Sequence, residues 1–355
     1  MKAAEFKKLG DYVKIKTGKL DANASSDDGE YPFFTCSIEP LKISSFSYDC
    51  ECCLVAGNGD LNVKYYNGKF DAYQRTYIIE SLDKEKLDVM YLYFFLCSYI
   101  EVLRKQSIGG VIKYIKLGNL TDALIPIPSL EKQKKICRNL IKAQKVLNEN
   151  QALFSKYDIL IKSRFIEMFG DNPIENGKWK VEKLGNLGLC KNGMNFSYED
   201  NGFEINCLGV GDFKDNAVIS NCEKLPVISL NEKPSEEYLL KDNDIVFVRS
   251  NGNKELVGRS VLVHPRVLTT FGGFCIRFRL STDSINHLFL LQFLKMPNTR
   301  KNMAGRGANI QNLNQQILSN LDIPVPQIEL QNDFASFVQQ IDKSKFEYTY
   351  TGVAA

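Results

Sequence analysis

Apolar positions in this chain follow two alternating patterns. Over about 5–128, and again over about 179–326, short apolar runs are broken by Gly, Asn and Asp, as in strands joined by turns. Cys52-Cys-Leu-Val-Ala56 and Ile245-Val-Phe-Val248 both lead into Asn-Gly pairs, at 58–59 and 251–252, a turn signal. From Glu131 there is no Pro or Gly until Gly170, which permits one helix of about 39 residues, ~58 Å long. Within it Leu140, Leu147, Phe154, Ile161 and Met168 recur every seven residues, beside a second stripe of Val146, Leu153 and Leu160. That recurrence predicts a coiled-coil seam, with ordinary core packing as the alternative. A second helix carries Phe334, Phe337, Val338, Ile341 and Phe346 at helical spacing and is expected to end near 347.

The two patterned regions repeat each other. Ile125-Pro-Ile-Pro128 and Ile323-Pro-Val-Pro326 lie 198 residues apart (from 125 to 323), and at that offset Gly109 meets Gly307, Leu120 meets Leu318, Glu131 meets Glu329 and Gln133 meets Gln331. Lys8-Leu-Gly10 sits over Lys183-Leu-Gly185, and Gly18 over Gly193, at an offset of 175 (from 18 to 193). The Asn-Gly runs align without a gap, placing Ala56 opposite Arg249. The later half thus carries longer loops on a shared framework, and so long a period indicates duplicated domains. The expected fold is α+β, with two similar strand-rich domains, 1–128 and 171–326. Each is followed by a helix, at 129–170 and 327–355, and the two helices pair as an antiparallel coiled coil.

Composition narrows the function. Hydrophobic content of 44% and charged content of 25% suit a globular protein. No stretch approaches the roughly 20 apolar residues of a membrane-spanning helix, and the opening Met1-Lys-Ala-Ala-Glu-Phe lacks the apolar core of a signal peptide, so a cytoplasmic location is expected. Net charge is only +3, so a nucleic-acid partner would require positive charge gathered on a few loops. The ten cysteines include one C-x-x-C, Cys50 to Cys53, with no second ligand pair at zinc-site spacing. Cysteine as a small buried strand residue is favoured over metal binding.

Catalytic signatures are missing. Asp171-Asn-Pro-Ile174 lacks the second proline and the aromatic residue of an amino-methyltransferase motif. Gly252 and Gly258 open no phosphate loop, and neither His264 nor His287 belongs to a nucleophile constellation. A binding role without catalytic or metal residues is expected.

Trp179 to Leu184-Gly185, the Arg249-Ser-Asn-Gly252 turn, then Ile-Pro-x-Pro, Glu-x-Gln and a helix, in that order, with the Leu-Gly, Asn-Gly, Ile-Pro-x-Pro and Glu-x-Gln parts repeated in the first half, resemble the specificity subunits of type I restriction-modification systems. The resemblance covers nearly the whole chain. It implies two target recognition domains, each reading one part of a split double-stranded DNA target, held apart by the helix pair. It further implies two methyltransferase subunits and motor-nuclease subunits as partners. Those partners supply S-adenosylmethionine, ATP and Mg, leaving no cofactor in this chain. Related readings are the specificity domain of a type II-like enzyme, or a scaffold that binds protein.

Base readout requires side chains with donor-acceptor forks, and phosphates require cations. Turn-rich segments offer Lys19, Lys64, Gln74, Arg75, Lys105, Gln106 and Ser107 in the first half. In the second they offer Asn192, Arg249, Ser250, Asn251, Lys254, Arg259, Arg300, Lys301, Arg306, Asn309, Gln311 and Asn312. Any one of these is equally compatible with a solvated surface group. The proposed helix-pairing set is Leu140, Leu147, Phe154, Ile161, Met168, Phe334, Val338 and Ile341.

Overall fold

The computed structural model describes residues 5–197, 200–213, 217–304 and 312–351. The chain divides into two compact units, Met1–Asn148 and Glu149–Ala355.

In the first unit, β1 (Phe6–Lys8) pairs antiparallel with β8 (Leu124–Pro126). The other strands are β2 (Val13–Thr17), β3 (Tyr31–Phe34), β4 (Leu41–Ile43), β5 (Tyr48–Ala56), β6 (Val63–Ala72) and β7 (Thr76–Ser81). They form one sheet in the order β2-β7-β5-β6-β3-β4. Side chains of β5 alternate between faces, as a strand requires. Cys53 and Val55 join a core beneath α1 (Val89–Gln106), while Cys52 and Leu54 meet Phe34, Phe70 and Ile78 on the other face. Cys52 and Cys53 are fully buried, so they serve as small apolar residues. Asp88 caps α1 by accepting the N–H of Tyr91. After α2 (Leu117–Thr121) and β8 comes α3, Leu130–Phe169, a helix of 40 residues. Its first turns bury Gln133 and Cys137 in this unit.

The second unit repeats the plan. Its elements are β9 (Lys180–Lys183), α4 (Leu184–Leu187), β10 (Gly188–Asn192), β11 (Phe203–Leu208), β12 (Val218–Ile219), β13 (Val227–Leu230), β14 (Asp244–Val248), β15 (Ser260–Val263), β16 (Thr269–Phe271) and β17 (Cys275–Leu280). They are followed by α5 (His287–Leu294), α6 (Pro297–Ala304), α7 (Gln315–Ser319), β18 (Asp322–Val325) and α8 (Ile328–Thr351). Again the first and last strands, β9 and β18, pair antiparallel. The single sheet of the first unit becomes two here, β10-β17-β14-β15-β12 and β13-β11-β16. The long strand β6 corresponds to β15 plus β16, and the break contains Pro265, which cannot donate to a ladder. The added residues lie largely between β11 and β14 and include β12.

Ile161, Phe165 and Phe169 of α3 share a core with Phe334, Val338 and Ile341 of α8, and Met168 packs against it. The Phe165 and Phe169 rings lie 5.4 and 5.9 Å from that of Phe334, while the Lys345 ammonium meets Asp158 at 2.8 Å. The two segments therefore run antiparallel. The fully engaged positions are spaced by four, as in ordinary helix packing, and depart from the expected seven-residue seam. Leu140 and Leu147 are 41% and 57% exposed, and Phe154 is half-buried. The α8 helix runs to Thr351, past the end expected near 347, because no Gly or Pro stops it before Gly352.

Candidate nucleic-acid interface

Three turns converge at one end of each unit's central strands, and their main-chain hydrogen bonds match between units. In the first, Gly57 N–H donates to the Arg75 carbonyl at 2.8 Å, and Ile115 N–H to the Gly57 carbonyl at 2.9 Å. In the second, Arg249 N–H donates to the Phe274 carbonyl, and Leu313 N–H to the Arg249 carbonyl, both at 2.8 Å. Asn58 bridges Tyr114 where Ser250 bridges Asn312.

The structural counterpart of Arg249 is therefore Gly57, one residue from the Ala56 that the gap-free alignment selects. Strand register agrees, since Ala56 faces Thr76 where Val248 faces Cys275. The matching Asn-Gly pairs conceal a one-residue shift, and in a strand such a shift exchanges the two faces. The same correspondence places Phe274 opposite Arg75.

Gly18 and Gly193 brace this rim. A Cβ at Gly18 would stand 2.1 Å from the Ala72 carbonyl oxygen, and one at Gly193 2.0 Å from that of Gly272. The glycines are required by close backbone approach. Lys19, Gln74 and Arg75 are all exposed at this turn, where Gln74 N–H donates to the Leu20 carbonyl at 2.9 Å. Lys105 is exposed at the end of α1; Gln106 accepts from Asn119, and the Ser107 hydroxyl closes the helix on the Arg104 carbonyl. The Lys64 ammonium binds the Asn62 side chain, which also holds the Cys36 carbonyl at 2.8 Å. Lys64 thus braces a loop, and burial lowers its pKa.

In the second unit, Arg249, Ser250, Asn251 and Asn312 come together. The Arg249 guanidinium donates to the Gly273 carbonyl at 3.4 Å, and Asn251 accepts the N–H of Asn253 at 2.8 Å, shaping its own turn. Arg300 is committed elsewhere: its Nη2 donates to the carbonyls of Glu255 and Val257 at 2.7 and 3.0 Å, and burial lowers its pKa. Arg259 is half-buried at the start of β15, and Lys301 is exposed on α6. Asn192 is half-buried, its Oδ1 enclosed with no hydrogen-bond partner among the described residues. Arg306, Asn309, Gln311 and the side chain of Lys254 lie outside the described residues.

Two kinds of residue escaped the sequence reading. Phe274, 69% exposed on the rim, carries no polar fork and so gives no base-reading signal in the sequence. Gln133 and Gln331, fully buried at the heads of α3 and α8, bind backbone in both units, and their only sequence signal was the repeated Glu-x-Gln.

This doubled arrangement has known relatives. Residues 1–153 and 176–351 match the family described as the type I restriction modification DNA specificity domain. The chain belongs to that family. It is 42% identical over 132 residues to the type I restriction enzyme EcoDI specificity subunit of Escherichia coli, covering 37% of this chain and 29% of that protein. It is 27% identical over 263 residues to the StySPI specificity subunit of Salmonella potsdam, covering 68% and 56%. These two matches thus span less than two thirds of either relative. The MjaVIII specificity subunit of Methanocaldococcus jannaschii is 24% identical over 379 residues, covering 95% of this chain and 86% of that one. Among solved structures, the S subunit of a type I restriction-modification system from M. genitalium shares the fold, with a TM-score of 0.59 at 16% identity, covering 99% of this chain and 93% of that chain.

Proposed function

We propose that this chain is the DNA-specificity subunit of a type I restriction-modification complex. Each strand-rich unit reads one part of a split double-stranded target, and the chain directs adenine methylation or cleavage performed by partner subunits. The observation that carries this reading is the family match falling once on each of two units that share a hydrogen-bonding framework but differ in rim side chains. A subunit that reads two different half-sites needs a common scaffold with unlike readers. Methyltransferase subunits supply S-adenosylmethionine in this reading, and motor-nuclease subunits supply ATP and Mg; this chain acts without a cofactor of its own. The antiparallel helix pair serves as the spacer between the readers. Phosphate contacts fall to Lys19, Lys105 and Lys301, and base contacts to Gln74, Arg75, Arg249, Asn251 and Asn312.

Mapping methylated adenines in cells that express the chain with its methyltransferase subunits, against cells lacking only this chain, tests the reading. The expected result is a split motif that disappears with the chain. An identical methylation map in both would refute it and favour a protein-binding scaffold.

A further inference from the structure

The turn joining β6 to β7 and the turn joining β16 to β17 occupy equivalent places but carry opposite chemistry. In the first unit it presents Gln74 and Arg75, both exposed, whose side chains make no hydrogen bond among the described residues. In the second it presents Gly273 and Phe274, the phenylalanine 69% exposed. The turn is rigidly placed. Gly272 N–H donates to the Leu208 carbonyl at 3.0 Å, Cys275 N–H to the Gly272 carbonyl at 2.9 Å, and the Phe274 carbonyl accepts Arg249 N–H at 2.8 Å. The strands on either side are buried on both faces, from Thr269 to Phe271 and from Cys275 to Phe278. A large apolar ring therefore stands in solvent on an ordered backbone, beside a guanidinium and two exposed or half-buried amides, Asn251 and Asn312.

We propose that this turn reads a base in both units, and that Phe274 reads thymine through its 5-methyl group where Gln74 and Arg75 read purine edges by hydrogen-bonding forks. The inference rests on the DNA-specificity reading above and names the base chemistry of one reader. In the major groove the thymine methyl is the apolar feature of the base edges, whereas guanine offers N7 and O6 to an arginine fork and adenine offers N6 and N7 to an amide. A phenyl ring has no fork, so apolar contact is its means of discrimination. The neighbouring Arg249 and Asn312 serve adjacent bases in this reading.

The test begins with the methylated motif mapped as above. Duplexes carrying deoxyuridine in place of each thymidine lose only the methyl group and leave the protein untouched. With the full chain in complex with its methyltransferase, one such duplex is expected to bind about three- to fivefold more weakly, the effect of one buried methyl. Phe274→Ala, which removes an exposed side chain, should bind thymidine and deoxyuridine duplexes equally at that position, and Phe274→Arg should shift the preferred base there. Arg75→Ala should relax a position in the other half-site and leave the deoxyuridine effect unchanged. If the motif depends on this chain but no thymidine position responds, or if Phe274→Ala responds as the parent does, the inference fails while the DNA-specificity reading stands. If no motif depends on this chain, that reading itself fails.

Discussion

The carboxamide of Gln331 holds the main chain of Asn286: its Oε1 accepts the Asn286 N–H at 2.8 Å, while its Nε2 donates to the carbonyls of Ser284 and Pro326 at 3.1 and 2.7 Å. Gln133 repeats this in the first unit, accepting from Asp88 at 3.0 Å and donating to Lys86 and Pro128 at 2.8 Å each. The residue held in each case, Asp88 or Asn286, caps the helix that covers the sheet. One buried amide thus ties the start of the long helix, the proline strand and the covering helix together. Gln331→Leu keeps the approximate shape and strands one N–H and two carbonyls. The expected loss is about 2–4 kcal/mol, with faster amide exchange over 284–294 and unchanged exchange over 86–96.

Asp244 and Arg279 form a bidentate pair, Nε and Nη2 each at 2.7 Å from a carboxylate oxygen, and the Asp244 side chain is wholly buried. Removing one partner leaves a buried charge uncompensated. Arg279→Met should destabilise the second unit by about 3–5 kcal/mol, and Arg279→Met with Asp244→Leu should recover most of that. Denaturant unfolding of the two variants decides the matter; equal losses in both would show that the pair is not the cause.

Lys295 sits half-buried at the end of α5, and burial holds its ammonium down at about 8, against the ordinary 10.5. Desolvation disfavours the charged form. Between about pH 8 and 10.5 the unfolded chain binds more protons than the folded one, so this group's contribution to stability rises with pH across that window. Below pH 8 the full cost of keeping it charged is present. Lys295→Met should therefore stabilise the protein at pH 7 by about 1–2 kcal/mol, with the gain shrinking toward pH 10. Parallel thermal melts at the two pH values measure the difference.

Two rim residues should fail differently. Lys19→Ala removes a candidate phosphate contact, so affinity should fall for all sequences and the log-log salt slope should become shallower by about 0.9. Arg249→Ala should instead cost about 1–3 kcal/mol and relax discrimination at one base of one half-site. Titrations of target and scrambled duplexes at several salt concentrations separate the two outcomes.

Much of the architecture was legible because it rests on local rules. The strands of both halves, the uninterrupted helix from 131 onward and the duplicated Ile-Pro-x-Pro junctions follow from hydrophobic period and from proline and glycine, and these act within a few residues. The exact repeat register was not legible, because the Asn-Gly pairs match in letters while the hydrogen bonds pair Gly57 with Arg249. Nor did the heptad stripe reveal which positions are buried: Ile161, Phe165 and Phe169 meet α8, while Leu140 and Leu147 remain exposed.

By itself, then, the sequence determined the two-unit plan and the family, because composition and period specify elements and their order. Only the tertiary structure decided which side chains are available. It committed Arg300 to the carbonyls of Glu255 and Val257, enclosed the Oδ1 of Asn192, and set Phe274 in the place that Arg75 holds in the first unit. The physical reason is that availability depends on hydrogen-bond partners and burial contributed by residues far away in the chain, and no local pattern encodes those.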